Sequence, residues 1–358
     1  MTTATHVPKP REETDYDRLK HDLPKGLFSA QNGKFLLRLG FRLSVFSALC
    51  AVFVWTALIS TGRGTVPIAL LLGSLSGIFM TQLATCAHDV GHRSTLRGKR
   101  ANYWTSLILG PFILGISYTW WNVKHNLHHE APNREGTDTD IEFPIIAFSL
   151  AQAFKKQRIF RPILEHQHQL ILPLFALQAF NSQLNTILYL LRGPKEARNQ
   201  MLGIILHWLS IAALVFFTGW GGLIFVLAQT TVHGICNASI FAPNHKGLPL
   251  IPANVPKDRM RDQIEPSRNV HGGKHFGWFV NFWYGGLQWQ IEHHLWPTMP
   301  VGNLRLTTPM VKAHCAKLEI VYRSATPLES YLEMYRWLRG VAQEFKEHNG
   351  KPYPGGVA

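Results

Sequence analysis

Long apolar runs without charge alternate with short polar stretches over most of the chain. Leu43 to Gly62 and Val66 to Ala87 contain no charged side chain, and each is long enough, as a helix, to cross a hydrocarbon core of roughly 30 Å. The pattern predicts two spanning helices joined by Gly62-Arg63-Gly64-Thr65, a connection that leaves room only for a hairpin. Gly203 to Thr218 and Gly222 to Phe241 predict a second hairpin turning near Trp220-Gly221, with a short first arm that carries His207. Tyr103 to Trp120 is also apolar, but Gly110-Pro111 and Gly115 interrupt it, which favours a bent or interfacial helix over a straight span. Leu170 to Leu191 holds Gln178, Asn181, Ser182, Gln183 and Asn185, a polar stripe expected of a helix lying in the interface. The expected fold is an all-α integral membrane protein: four transmembrane helices in two hairpins, with interfacial helices and a cytosolic cap. Residues 1–42 read as a cytosolic N-terminal segment, 43–346 as the membrane domain and 347–358 as a flexible tail.

Composition agrees with this. Of 358 residues 46% are hydrophobic and 16% charged, a departure from soluble domains toward membrane proteins. Lys9, Arg11, Arg18, Lys20, Lys25, Lys34, Arg38 and Arg42 precede the first apolar run, and the turns on the other side carry only Arg63. The positive-inside tendency then places both termini in the cytoplasm. The net charge of +14 is expected to meet anionic headgroups rather than nucleic acid, since no nucleic-acid-binding motif accompanies it. Cys50, Cys86, Cys236 and Cys315 are widely separated and suggest neither a disulfide framework nor a thiolate site.

The candidate chemistry lies in three histidine windows, each following an apolar stretch: His88-Asp-Val-Gly-His92, His125-Asn-Leu-His128-His129 and Gln290-Ile-Glu-His293-His294. Spacings of three and four residues put side chains on one helical face, so each window is expected to aim its polar groups at one place. Imidazole is the commonest protein ligand for a transition metal, and seven histidines exceed what one ion can use. The count points to two metals. A helix crossing at Tyr103 to Trp120 would put the first two windows on opposite sides of the membrane, so that segment is expected not to cross, and all three windows fall on the cytoplasmic side.

These windows, with Trp121-Asn-Val-Lys before His125 and Leu-Trp-Pro after His294, closely resemble the three histidine boxes of membrane fatty acid desaturases. The similarity runs from about Leu83 to Tyr322 and is nearest to the acyl-lipid and front-end branch, where glutamine opens the third box. The resemblance implies a non-heme diiron enzyme that uses O2 to insert a double bond into a fatty acyl chain. Carried over by position, His88, His92, His125, His128, His129, His293 and His294 would be iron ligands. Gln290 takes the place of an eighth and would instead position a water or a neighbouring ring. The family usually adds one histidine from the end of the last spanning helix. His245 sits at that end, whereas His233 lies about eight residues, roughly 12 Å, inside the helix's polar boundary, so His245 is the expected ligand. Asp89 and Glu292, beside ligands, are candidates to orient imidazole N–H groups. The glutamine also suggests a substrate that is already unsaturated.

Other polar residues take plainer readings. His271-Gly-Gly-Lys-His275 has the right spacing, but its glycines disfavour a regular helix. His166 and His168 point to different faces, and Asp138-Thr-Asp140 reads as helix capping. No heme-binding His-Pro-Gly-Gly occurs, so electrons are expected from an external carrier, a ferredoxin with its reductase, drawn by the basic surface. The acyl group could arrive on a lipid, on coenzyme A or on acyl carrier protein. The same cage would also serve a hydroxylase, acetylenase, epoxygenase or carotenoid-modifying oxygenase. More distant readings are a zinc-dependent membrane lipid hydrolase, for which the histidines are too many, and a non-catalytic lipid-binding protein.

Overall fold

The four runs expected to span each lie largely in one helix that extends beyond at least one end of the run, because a helix satisfies every backbone group internally and loses nothing by extending toward water. The computed structural model describes residues 14–60 and 65–348. Gly62, Arg63 and Gly64 of the expected first turn, Lys9, Arg11 and nearly all of the expected tail lie outside them. A short helix, α1 (Asp15–Asp22), opens on a reciprocal capping box between Thr14 and Asp17. It precedes α2 (Asn32–Ile59) and α3 (Thr65–Gly91). α2 therefore starts at Asn32 rather than at Leu43 and includes Arg38 and Arg42.

The interrupted segment is bent, as its sequence indicates. α4 (Lys99–Leu107) passes into a π-helical turn, Ile108–Leu114, that contains Pro111. Gly115, at φ 67°, reverses the chain, a backbone region that glycine enters without steric cost. α5 (Tyr118–Glu130) then begins on Ser117, whose Oγ accepts from Trp120 N–H. A Cβ on Gly115 would lie 2.5 Å from His207 Nε2, and His207 Nδ1 donates to Phe112 O at 2.9 Å. The one polar residue that looked awkward in a short spanning helix thus bonds a carbonyl of the irregular turn.

The expected interfacial helix at Leu170 to Leu191 is two helices, α6 (Gln167–Phe175) and α7 (Gln178–Leu191). Its polar stripe is divided, with Asn181 exposed and Gln178 and Asn185 half-buried. Ser182, Gln183 and Thr186 are buried, while Leu184, Ile187, Leu188 and Leu191 are exposed. Gln183 donates to Leu114 O at 3.2 Å and Thr186 Oγ1 accepts from Ser117 N–H at 3.1 Å. Gln183 and Thr186 thus serve the broken backbone around Gly115, since a buried peptide group must find a partner.

α8 (Met201–Thr218) and α9 (Trp220–His245) complete the set. α2, α3, α8 and α9 are long and apolar enough to cross a membrane, and their outward faces are apolar, ending in exposed Trp55, Phe216, Phe217 and Trp220. α3 and α9 pack tightly because Gly73 and Gly77 of α3 present no side chain. A Cβ on either would approach Phe225 O or Gln229 O of α9 to 2.6 Å and 2.5 Å, the close approach that small residues four apart permit in membranes. The remaining chain forms the cap: β1 (Arg268–Val270), α10 (Gly273–Tyr284), α11 (Gln290–Leu295), α12 (Val301–Lys317), β2 (Arg323–Ala325) and α13 (Pro327–His348). β1 and β2 pair in parallel. Ile264, Ile291, Leu295, Trp296, Leu304 and Val311 form the apolar core that seats α11.

Candidate metal centre

Four elements meet at the ends of α3 and α9: the last turn of α3 with His88 and the adjoining His92, the outer half of α5, the end of α9 with His245, and α11. They bring eight histidines into two groups. His88, His92, His125, His129 and His293 form one, and His128, His245 and His294 the other, with the candidate ligand atoms of each group within 4.8 Å of one another. In the first group, His125 Nε2 lies 2.9 Å from His92 Nε2, 3.1 Å from His88 Nε2 and 3.0 Å from His129 Nε2. His129 Nε2 in turn lies 3.1 Å from His293 Nε2. A ring nitrogen carries at most one proton, so His125 Nε2 cannot satisfy three such contacts as hydrogen bonds. A cation among them can. Nitrogens bound at about 2.1 Å and at right angles stand about 3.0 Å apart, which is the spacing found. In the second group His294 Nε2 and His245 Nε2 are 3.1 Å apart.

The windows do not each aim at one place. The i, i+4 pairs His88/His92 and His125/His129 converge, but the neighbouring pairs His128-His129 and His293-His294 divide, one ring to each group. Consecutive helical residues are rotated by about 100°, so each pair straddles the two positions. Burial, reinforced by the neighbouring imidazoles, holds His92, His125, His129, His293 and His294 well below the usual histidine range. They are neutral, the form that donates a lone pair to a metal. The residues present fit two first-row metal ions ligated by nitrogen.

A protein-family profile described as "Fatty acid desaturase" matches residues 65–326, a stretch that contains every one of these histidines. The chain belongs to the fatty acid desaturase family. It is 28% identical over 340 residues to the acyl-lipid (9-3)-desaturase of Physcomitrium patens, covering 91% of this chain and 62% of that protein. It is 30% identical over 285 residues to the delta(8)-fatty-acid desaturase of Euglena gracilis, covering 75% of this chain and 67% of that protein. Delta(8)-fatty-acid desaturase 2 of Arabidopsis thaliana is 30% identical over 358 residues, covering 93% and 76%. The chain thus spans about two thirds of the length of the first two relatives.

Within this desaturase-family frame the other candidates separate. His233 lies in the body of α9 and makes a 2.9 Å contact from Nδ1 to Thr81 Oγ1 of α3; it joins neither group. His271 and His275 are exposed and stand apart from both. Gln290 touches the second group: its side-chain nitrogen is 2.9 Å from His245 Nε2, and its Oε1 accepts from Asn244 at 2.9 Å. Asp89 does not orient a box imidazole by hydrogen bond. Its Oδ1 is 3.8 Å from His88 Nδ1, and its Oδ2 is taken by Arg38. Glu292 is turned away altogether, accepting from Tyr322 OH and Asn269 at 2.7 Å each. Burial raises its carboxyl above the usual range against those two hydrogen bonds, so Glu292 is a strut that ties α11 to β1.

The carboxylate that does hold one of these imidazoles is one that the sequence suggested only as a cap. Asp138 Oδ2 accepts from His128 Nδ1 at 3.0 Å and from Asn133 N–H at 2.8 Å, while its Oδ1 also caps the following turn through Asp140 N–H. Burial would raise this carboxyl, but His128, Lys246 and the Asp140 N–H together keep it well below the usual carboxylate range. His245 Nδ1 donates to Pro266 O at 3.0 Å, and His294 Nδ1 to Gln263 Oε1 at 3.1 Å. Arg38 and Arg42, counted among the basic residues that precede the first apolar run, turn inward. Arg42 is 5% exposed and donates to Gln82 O and Thr85 Oγ1 of α3, both at 2.8 Å. Neither arginine's inward role has a local sequence signal.

Proposed function

We propose that the protein is an O2-dependent acyl desaturase whose two irons are held by His88, His92, His125, His129 and His293 and by His128, His245 and His294. The observation that supports this most is the pair of nitrogen groups at ligand spacing in a chain of the desaturase family. Iron bound at the two positions would supply the reductive activation of O2 needed to remove two hydrogens from an unactivated acyl chain. The protein's own residues fix the geometry: Asp138, Pro266 O and Gln263 orient the three rings of the second group, and Gln290 is the polar side chain set against its remaining face. With three imidazoles, that group leaves room for a small exogenous ligand.

The named relatives are an acyl-lipid (9-3)-desaturase and two delta(8)-fatty-acid desaturases, which, with Gln290 opening the third window, supports an already unsaturated acyl chain as substrate. An acyl lipid is the favoured carrier over coenzyme A and acyl carrier protein. A ferredoxin with its reductase is the proposed electron source, and the histidine groups and both termini are placed on the cytoplasmic side. The decisive experiment expresses the chain with a ferredoxin system and supplies mono- and di-unsaturated lipids. Loss of two hydrogens by mass spectrometry, with about two irons per purified chain, is expected. Gain of an oxygen would replace the desaturase by a hydroxylase, and one zinc per chain would replace both by a hydrolase.

A further inference from the structure

A second polar feature lies one residue from the metal ligands. Between the end of α3, the start of α4 and the side of α5 is a cavity of about 730 Å³ lined by Gly91, Arg93, Lys99, Arg100, Asn102, Tyr103, Ser106, Tyr118, Asn122 and Asn126. Its volume falls in the range of ordinary small-ligand sites, about 300–1,000 Å³. No carboxylate lines it. Arg93, Lys99 and Arg100 are exposed, and none forms an ion pair among the described residues. The uncharged wall is fixed in place: Asn102 is buried and donates to Val90 O at 2.7 Å and Leu96 O at 3.1 Å, which binds α4 to the first histidine window. Three cations that converge without anionic partners over a hydroxyl- and amide-lined wall make an anion site.

The surroundings say which kind of anion. On the same stretch of chain, Trp104, Ile108 and Phe112 are exposed, an apolar face beside the cationic mouth at the level where the π-helical turn enters the bundle. A ligand reaching the cavity has one end in a polar, cationic pocket and the rest against a lipid-facing surface. Only one aromatic ring separates that pocket from the metal ligands. Trp121 stacks on His125 at 4.3 Å between centroids, and a Cβ on Gly91 would meet its ring at 2.5 Å.

We propose that this cavity holds the phosphate headgroup of the acyl-bearing membrane lipid, with Arg93, Lys99 and Arg100 as its anionic contacts. Seating the headgroup one residue from His92 brings the carboxyl end of the acyl chain closest to the ligands. The identity of the chain as a reacting acyl group rests on the desaturase reading; the headgroup site does not.

The test is equilibrium binding to the detergent-solubilised full chain, without turnover. The probes are dihexanoylphosphatidylglycerol, its uncharged counterpart dihexanoylglycerol, and coenzyme A. The double variant K99Q/R100Q removes two exposed charges from one helical turn, and K99R/R100K keeps them. Arg93→Gln is an independent single variant, and iron content and gel filtration report on folding. Phosphatidylglycerol affinity is expected to fall about tenfold or more in K99Q/R100Q, to fall in Arg93→Gln and to persist in K99R/R100K, with dihexanoylglycerol indifferent to all three. Unchanged phosphatidylglycerol affinity in both charge-removing variants overturns the site. Loss of coenzyme A binding with phosphatidylglycerol unaffected overturns the lipid assignment in favour of a soluble carrier. Intact phosphatidylglycerol binding by a wild-type, iron-loaded chain that leaves unsaturated phospholipids unchanged in the ferredoxin-coupled assay sinks the desaturase reading and leaves the headgroup site standing.

Discussion

An imidazole that ligates through one nitrogen is aimed by whatever holds the other, and here the two groups differ. All three rings of the smaller group are anchored at Nδ1, by Asp138, Pro266 O and Gln263. In the larger group the Nδ1 atoms of His88 and His129 have no hydrogen-bond partner. Asp138→Ala is therefore expected to weaken metal binding selectively at the smaller group, by ~10–100-fold. A chelator titration followed by iron analysis should show one iron leaving early and one retained, and simultaneous loss of both would refute the assignment. His245→Ala should likewise drop the iron content, whereas His233→Ala should keep both irons and most activity, losing only the contact to Thr81. The reverse ranking would exchange the roles of the two histidines. The depth argument that separated these two was available in the sequence. Asp138 was not, because its role depends on a turn that folds residues ten apart onto one ring.

Element boundaries and packing show the same division. The four spanning helices are legible as charge-free runs, and Pro111 with Gly115 marks the bend. The inward turn of Gln183 and Thr186 in α7 is not legible, since amides and hydroxyls in such a stretch suit either a headgroup layer or the broken backbone that these two bond here. Arg38 and Arg42 were hidden for a related reason: a cation at a helix end reads as solvated until a partner such as Asp89 is seen across the bundle. Where α3 meets α9 the lack of side chains carries the contact. Gly77→Leu should cost about 1–3 kcal/mol or more by forcing the helices apart. Gly40→Ala, in α2 with open space around it, should be neutral or gain up to about 1 kcal/mol. Thermal unfolding of the two variants in detergent checks the contrast, and equal midpoints would mean that α3 and α9 are not so tightly packed.

For the whole molecule, the proposed orientation has α2 with α3 and α8 with α9 each returning the chain to the side it left, which would put the described ends of the protein on the side of the histidines. Epitope tags placed before α1 and after α13 are expected to be reached by antibody only once the plasma membrane is permeabilised. Labelling of either tag on intact cells would overturn that orientation. The assembly of the centre from four parts of the chain has a further effect at this scale. Residues 88–92, 125–129, 245 and 293–294 converge only when the bundle and the cap are both formed, so metal affinity and global folding are linked. The pairs His128-His129 and His293-His294 also act as rulers. Consecutive Cα atoms are about 3.8 Å apart whatever the solvent or ligand does, and each pair places one ring on either side of the gap between the two groups. The separation of the two positions is thereby written into covalent geometry twice, and neither group needs a bridging carboxylate to set it.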